Sequence, residues 1–242
     1  MRPVSRTTKS LPGTTIDPLY PDYMRKRCMG ETDYHSIAMF GLREMLEDFF
    51  EHDRSVYMAT SIVLYFEKGN PKRRRDPDVL VAKGTAGKHE RRAFRVWEEG
   101  VLPCTLFEFA SKHTWREDLG PKRREYARIN IPEYFLYDPE GRYLLPVLRG
   151  FRSVNGRSVE IKPTADGHLI SEQLGLRLEP HGSLLRVYDL QTGLIVPTRR
   201  EKAEALILKA EAARRRADEL AAEVARLRRY INRLRKRNGE QS

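Results

Sequence analysis

Two apolar segments between residues 76 and 139 each contain a carboxylate, and this feature constrains the chain more than any other. Residues 77–82 contain Asp78, and residues 105–110 contain Glu108. Short runs rich in Val, Phe and Tyr that are bounded by Pro, Gly or Asp are typical of buried strands. Acidic side chains are rarely buried without a partner, because an isolated buried carboxylate costs several kcal/mol or takes up a proton. The sequence therefore predicts two strands whose acidic residues need a compensating cation.

The alternation of side chains predicts which way these acidic residues point. Successive side chains of a strand lie on opposite faces, so Asp78 is predicted to share a face with Leu80. By the same rule, Glu108 is predicted to share a face with Leu106, away from the phenylalanines on either side of it. Both carboxylates are therefore expected among apolar neighbours.

A helix with one unusual residue is predicted between two of the strands. It spans residues 118–129, with Asp118 as its N-cap and Pro121 in its first turn. Its side facing the sheet carries, at helical spacing, Leu119, Lys122, Tyr126 and Ile129. A third apolar segment follows at residues 133–137, which gives the order of a βαβ unit with a right-handed crossover. Lys122 is thus expected close to the buried carboxylates.

Two carboxylates and a lysine in one place indicate metal-assisted hydrolysis of phosphodiesters. Mg²⁺ prefers one or two carboxylates together with water and phosphate oxygens. A lysine can orient the attacking water or neutralise charge in the transition state. Each residue also has a structural interpretation: Asp78 as a turn residue at the start of a strand, Glu108 as the partner of a core arginine, and Lys122 as a side chain that reaches water past an apolar face.

Four motifs resemble the Uma-type family of proposed endonucleases, which belongs to the PD-(D/E)XK nuclease superfamily. In order along the chain they are PDV at 77–79, FEFASK at 107–112, REDLGPK at 116–122 and PEYFLYDP at 132–139. The resemblance extends from about residue 33 to residue 193. It implies an α/β fold, with a restriction-endonuclease-like mixed sheet flanked by helices. It also implies that Asp78 and Glu108 are metal ligands.

The third position of the superfamily pattern differs in this chain. Two residues after Glu108, where the superfamily has a lysine, stands Ala110. In the Uma-type family the lysine lies on the following helix, which indicates Lys122, while Lys112 near the end of the strand is the alternative. Many superfamily nucleases carry an acidic residue on the first helix that reaches the metal. Glu31 is the candidate here, although a glutamate in a first turn also suits the helix dipole.

The end of the chain has the pattern of a coiled coil. Apolar residues alternate at steps of three and four, with a positions Ala203, Ala210, Ala217, Val224 and Ile231 and d positions Leu206, Ala213, Leu220, Leu227 and Leu234. Val and Ile at a with Leu at d, in the later half, favour a parallel two-stranded coil and hence a homodimer. A single helix folded back on the domain and an arginine-rich helix lying along DNA are the alternatives.

These observations predict three segments. Residues 1–27 are expected to form an extended or disordered arm, 28–200 a PD-(D/E)XK nuclease-like domain, and 201–242 the coiled coil.

The 45 Lys and Arg against 34 Asp and Glu give a formal net charge of +11, which favours an anionic partner such as nucleic acid. The two cysteines form no disulfide framework, and no signal peptide or membrane segment is evident, which favours the cytoplasm.

The resulting hypothesis is a DNA endonuclease that depends on Mg²⁺ or Mn²⁺ and forms a homodimer through its coiled coil. Asp78 and Glu108 bind the metal, Lys122 assists the attacking water, and Glu31 is an auxiliary ligand. Two alternatives come from other classes of protein. One is a DNA-binding module with the nuclease fold but no activity, and the other is an assembly protein whose coiled coil recruits a different partner.

Overall fold

The structure is a computed structural model that describes residues 19–20 and 32–239, with side chains described as far as Leu234. The chain divides into two compact units, Met1–Val196 and Pro197–Ser242. Of the arm predicted at residues 1–27, only Leu19 and Tyr20 are described. Tyr20 is buried in a small cluster with Val63 and Tyr65.

The first unit combines short strands with a few helices. Its strands are β1 (Tyr57–Thr60), β2 (Leu64–Tyr65), β3 (Arg74–Arg75), β4 (Val79–Ala82), β5 (Phe94–Arg95), β6 (Thr105–Phe109), β7 (Glu133–Tyr137), β8 (Leu148–Val154), β9 (Arg157–Glu160), β10 (Leu169–Ser171), β11 (Leu176–His181) and β12 (Leu184–Asp189). Its helices are α1 (Asp33–Phe49), α2 (Val96–Glu99), α3 (Trp115–Glu117) and α4 (Arg123–Arg128).

A mixed six-stranded sheet forms the centre of this unit, in the order β1-β4-β6-β7-β8-β9. Strands β6 and β7 are parallel, and the other neighbouring pairs in this sheet are antiparallel. The segment that joins β6 to β7 contains α3 and α4, so the predicted strand–helix–strand unit is confirmed. Strands β10, β11 and β12 form a second, antiparallel sheet. The fold class is α/β, a mixed sheet flanked by helices, as predicted.

The central sheet is buried on both faces, which explains why its strands are almost continuously apolar. One face includes Val79 and Phe107 and packs in a core with α1 and the second sheet. The other face includes Leu80 and Leu106 and packs in a core with Tyr126 of α4. The alternation predicted for β4 and β6 is therefore confirmed. By that alternation, Asp78 and Glu108 belong to the face that α4 covers.

The helix between β6 and β7 differs from its prediction. Helical structure begins at Trp115 rather than at Asp118, and residues Asp118–Lys122 form a π-helical turn between α3 and α4. Asp118 has helical backbone angles (φ −63°, ψ −47°) and is fully buried, so the predicted N-cap is wrong. The cause is local: Pro121 has no N–H to donate, and helices accommodate such an interruption with a wider turn.

The second unit contains a single long helix, α5 (Arg199–Gly239), of 41 residues. Thr198 and Glu201 cap its start reciprocally. The Glu201 N–H donates to Thr198 Oγ1 over 3.2 Å, and the Thr198 N–H donates to Glu201 Oε2 over 2.8 Å. This is a capping box, which satisfies amides that a helix start would leave without partners. In the described part of the chain, no helix has the length and apolarity needed to cross a membrane.

Gly150→Ala should destabilise the central sheet. A Cβ atom at position 150 would lie 2.7 Å from Cε1 of the buried Phe135 and 3.1 Å from Cδ1 of Leu169. Relieving such contacts in a packed core costs about 1–3 kcal/mol, which corresponds to a fall in Tm of roughly 3–10 °C. Gly120→Ala is the matched control, because its added Cβ would meet nothing closer than 3.9 Å. Thermal unfolding followed by circular dichroism tests this; an equal Tm for the two variants would contradict it.

Candidate active site

Asp78, the residue directly before β4, lies across from Glu108 of the neighbouring strand β6. Val79 pairs with Phe107 in the antiparallel register of β4 and β6, and continuing that register by one residue places Asp78 across from Glu108. Directly opposed residues lie on the same face of a sheet, with Cβ atoms about 4.5–5.5 Å apart. Both side chains are buried, with 7% of Asp78 and 2% of Glu108 exposed. The structure thus brings the two predicted carboxylates together.

Lys122 reaches the same place from the π-helical turn. Its Nζ lies 3.1 Å from Oε1 of Glu108 and 2.8 Å from Oδ1 of Asp118. Asp118 and Lys122 are four residues apart, so this turn places both on one side of the backbone. Lys112, the alternative lysine, has an exposed side chain. Of the two lysines, Lys122 is the one that contacts a predicted metal ligand.

Two buried tyrosines hold this arrangement. The hydroxyl of Tyr126 on α4 donates to Oε1 of Glu108 over 3.0 Å. The hydroxyl of Tyr134 on β7 donates to the backbone carbonyl of Asp118 over 3.1 Å. Both tyrosines are almost completely buried, and their rings lie 5.3 Å apart. They fix Glu108 from one side and the π-helical turn from the other.

Asp78 is held from the opposite direction. The backbone N–H of Phe109 donates to its Oδ2 over 2.7 Å. Nε2 of His35, in the first turn of α1, lies 3.5 Å from its Oδ1. The His35 ring also packs edge-on against the ring of Phe109, with centroids 5.9 Å apart. These contacts fix the carboxylate of Asp78 in one orientation.

The surroundings shift the pKa values of the two strand carboxylates in opposite directions. Burial raises the pKa of Asp78, but the hydrogen bond and charge of His35 and the Phe109 amide outweigh it and hold that pKa below its usual value. Burial raises the pKa of Glu108 well above its usual value, and the charge of Lys122 only partly opposes this because the charges of Asp78 and Asp118 add to it. Two neighbouring carboxylates with separated pKa values are characteristic of functional sites.

The lysine is cationic in this site. Burial by itself would lower the pKa of Lys122, but the charges of Glu108 and Asp118 outweigh it and raise that pKa. Burial also raises the pKa of Asp118, against the opposing charge and hydrogen bond of Lys122. Three buried carboxylates therefore share one lysine, with His35 beside Asp78. Negative charge is in excess, which favours the binding of a further cation.

The donor set fits a hard divalent cation. Asp78 and Glu108 supply carboxylate oxygens side by side, and Mg²⁺ in proteins commonly takes one or two carboxylates plus water and phosphate. Tyr126 and Lys122 both contact Oε1 of Glu108. Among the described residues, no group of three or more His, Cys, Asp or Glu side chains is arranged to hold a metal ion. With two carboxylates as ligands, the other coordination positions of such an ion are filled by water and phosphate oxygens.

Three residues of this site have contacts that the sequence analysis did not predict, and one predicted residue lies outside the described part of the chain. Glu31, the predicted auxiliary ligand, lies outside the described residues. Asp118 was interpreted only as a helix cap, although its spacing of four residues from Lys122 was a signal for an ion pair. Tyr126 was expected on the inner face of the helix but not as a partner of Glu108. His35 carried no assignment, and its contact with Asp78 depends on how α1 packs on the sheet.

The comparison with sequence models of protein families agrees with the resemblance seen in the motifs. A search of curated proteins found no match. Among solved structures, the chain is similar to one described as a putative nuclease belonging to DUF820 from Anabaena variabilis. The TM-score is 0.45 and the identity 12%, over 60% of this chain and 76% of that one. The sequence model of the Uma2 family, described as "Putative restriction endonuclease", matches residues 28–187. Because that match spans well over half of the 242 residues, the chain belongs to the Uma2 family.

Proposed function

We propose that this protein is an endonuclease that uses Mg²⁺ or Mn²⁺ to hydrolyse phosphodiester bonds in DNA. One observation carries the proposal: the register of β4 and β6, continued by one residue, sets Asp78 across from Glu108, and Nζ of Lys122 lies 3.1 Å from Glu108. Membership of the Uma2 family supports a nuclease at the level of the family. The metal, the DNA substrate and the roles of individual residues go beyond what membership of the family establishes.

Asp78 and Glu108 would hold the metal. When bound, such an ion lowers the pKa of a coordinated water and neutralises negative charge on the phosphate. Asp78 suits the role of ligand because the contacts of Phe109 and His35 keep it ionised and oriented. Glu108 suits the same role because Lys122 only partly offsets the burial of its carboxylate and the nearby charges of Asp78 and Asp118. A bound metal ion would supply a second positive charge next to that of Lys122.

Lys122 would act as a fixed cation rather than as a base. Its raised pKa keeps the ammonium group protonated, so it donates hydrogen bonds to the attacking water or to a non-bridging phosphate oxygen. In the reaction, the water oxygen forms a bond to phosphorus while the bond from phosphorus to one ester oxygen breaks. The products are a phosphate monoester and a free hydroxyl, and the proton lost by the water passes to solvent or to the leaving oxygen.

Charge supports a nucleic acid as the substrate. The chain carries a formal net charge of +11. The segment between β6 and β7, which contributes Lys122 to the site, has exposed basic side chains at Lys112, Arg116, Arg124 and Arg128. Exposed lysines and arginines beside a buried catalytic group are suited to contacts with the phosphate backbone. A homodimer through α5 and a cytoplasmic location are part of the same proposal.

A cleavage assay on closed circular plasmid tests the proposal directly. We expect conversion to nicked or linear DNA with Mg²⁺ or Mn²⁺, and none with EDTA, because only an endonuclease opens a closed circle. A single-stranded RNA of similar length is the control substrate. Cleavage of RNA but not DNA would contradict the proposed substrate. Salt-sensitive binding of DNA without cleavage in either metal would contradict the proposed activity and favour an inactive DNA-binding module.

A further inference from the structure

Helix α5 presents a stripe of large apolar side chains that remain exposed in the single chain. Leu206 is 65% exposed, Leu220 is 62% exposed and Leu227 is 49% exposed. With Val224, Ile231 and Leu234, these residues occupy a and d positions of one continuous heptad pattern. An apolar stripe of this regularity is typical of a helix that packs against another helix. We therefore expect a second helix, parallel or antiparallel to α5, to cover this stripe.

The size of the side chains along this stripe changes from one end to the other. The five core positions of the first half are Ala203, Leu206, Ala210, Ala213 and Ala217, of which four are alanine. The five of the second half are Leu220, Val224, Leu227, Ile231 and Leu234, none of which is alanine. Any partner must therefore fill a surface that is shallow in its first half and bulky in its second.

We infer that the partner is a second copy of α5 running in the antiparallel direction. With the two helices fully overlapped, Ala203 faces the partner's Leu234, and Leu206 faces the partner's Ile231. The remaining layers are Ala210 with the partner's Leu227, Ala213 with the partner's Val224, and Ala217 with the partner's Leu220. Four of these five kinds of layer combine an alanine with a larger residue. The apolar face of α5 is thus complementary in side-chain size to the same face of a second α5 helix that runs in the opposite direction.

Packing distance favours this direction over the parallel one. Helix axes pack 8–10 Å apart, depending on the side chains in contact. A parallel pair would place alanine against alanine in four layers of the first half and large residues against each other throughout the second. The two halves would then require different axis separations, and any compromise leaves voids, which are costly. The later half taken alone suits a parallel pair, but the full set of ten core positions suits the antiparallel one.

Charge favours the same direction. In the antiparallel pair, Arg216 lies beside the partner's Glu223, and symmetry repeats this contact. A parallel pair would instead place Lys209 beside the partner's Arg214, which is a like-charge contact. It would also align two strongly basic ends, since residues 221–239 contain seven Lys or Arg and one Glu. Antiparallel pairing sets each basic end against residues 199–220, where five acidic residues offset most of the charge of seven basic ones.

Cysteine cross-linking in the full-length protein tests the direction, with a Cys28→Ser background and the buried Cys104 left in place. Leu206→Cys and Ile231→Cys chains with different tags are co-expressed and purified through both tags. Mild oxidation should then link most of the mixed dimer, whereas neither variant should link to itself. The reason is distance: in the antiparallel pair, equivalent residues at position 231 are about 38 Å apart along the axis. Leu208→Cys, an exposed leucine at an f position, replaces Leu206→Cys as the matched control and should not link to Ile231→Cys.

The outcomes separate the alternatives. Self-linking of Ile231→Cys would overturn the antiparallel direction in favour of the parallel one. A monomer in sedimentation equilibrium, or no link in any mixture, would overturn pairing through this face. The inference rests on the homodimer that the proposed function includes. None of these readouts involves nuclease activity, so a failure of the plasmid assay would leave the antiparallel pairing unaffected.

A charge reversal provides a second measurement. Glu223→Arg should weaken the dimer about fivefold, because it creates two like-charge contacts with Arg216. Adding Arg216→Glu should restore the parent affinity only in the antiparallel pair. If adding Arg228→Glu to Glu223→Arg restores the affinity of the dimer instead, the helices run parallel. In a parallel pair, position 223 faces the partner's Arg228.

Discussion

Glu108→Gln is expected to reduce DNA cleavage by about 1,000-fold or more while leaving the protein folded. The amide has nearly the volume of the carboxylate, and its oxygen can still accept from Tyr126 and Lys122. What it lacks is the negative charge that binds a divalent cation beside Asp78. The expected loss is therefore one of metal affinity and catalysis and not of structure.

Two measurements on the same sample check this. Calorimetric titration with Mn²⁺ should show binding to the parent protein and at least tenfold weaker binding to Glu108→Gln. Even mutation of residues that only support the ligands typically lowers metal affinity or activity by about 10–100-fold. Glu117→Gln is the matched control, because Glu117 is exposed on the neighbouring α3 and loses the same charge. Cleavage by Glu108→Gln at the parent rate, with an unchanged titration, would remove Glu108 from the metal site and with it the chemistry proposed here.

The strand faces on which Asp78 and Glu108 lie could be predicted from the sequence because they follow from local rules. Alternation within a strand and the bounding of apolar runs by Pro and Gly apply before any tertiary structure is known. The same rules placed Lys122 on the inner side of a helix, although they could not choose between it and Lys112. That choice depends on where a helix packs, and the packing leaves Lys112 exposed while it buries Lys122.

What the sequence did not reveal depends on contacts between distant segments. Asp118 precedes a proline by three residues and follows a polar link, which is the pattern of a helix cap. In the structure Asp118 is buried instead, with its carboxylate beside Lys122 and its backbone carbonyl accepting from the hydroxyl of Tyr134. His35 and Asp78 are 43 residues apart, and only the packing of α1 against the sheet brings them within 3.5 Å. The four-residue spacing of Asp118 and Lys122 is a sequence signal, but the contacts of Asp118 with Tyr134 and of His35 with Asp78 have none.

Lys122→Met should be the most destabilising change in the site, lowering the free energy of unfolding by about 3–5 kcal/mol. Methionine fills most of the space of the lysine but leaves Glu108 and Asp118 without their shared cation. Both carboxylates are almost fully buried, so solvent cannot replace the lost partner. Lys112→Met is the matched control; its lysine is exposed, and we expect a change within about 0.5 kcal/mol. Urea unfolding at pH 8 measures both.

The pH dependence identifies the cause of this destabilisation. Removing Lys122 removes the charge that lowers the pKa of Glu108 in the folded protein, so that already raised pKa should rise further. A carboxyl group whose pKa is raised on folding destabilises the folded state at high pH, and this effect vanishes once the group is protonated in both states. The difference between Lys122→Met and the parent should therefore shrink as the pH falls from 8 towards about 4. Asp118→Asn in the Lys122→Met background should recover part of the loss at pH 8. A difference that is constant with pH, or no recovery in the double variant, would mean that Lys122 stabilises the fold by packing alone.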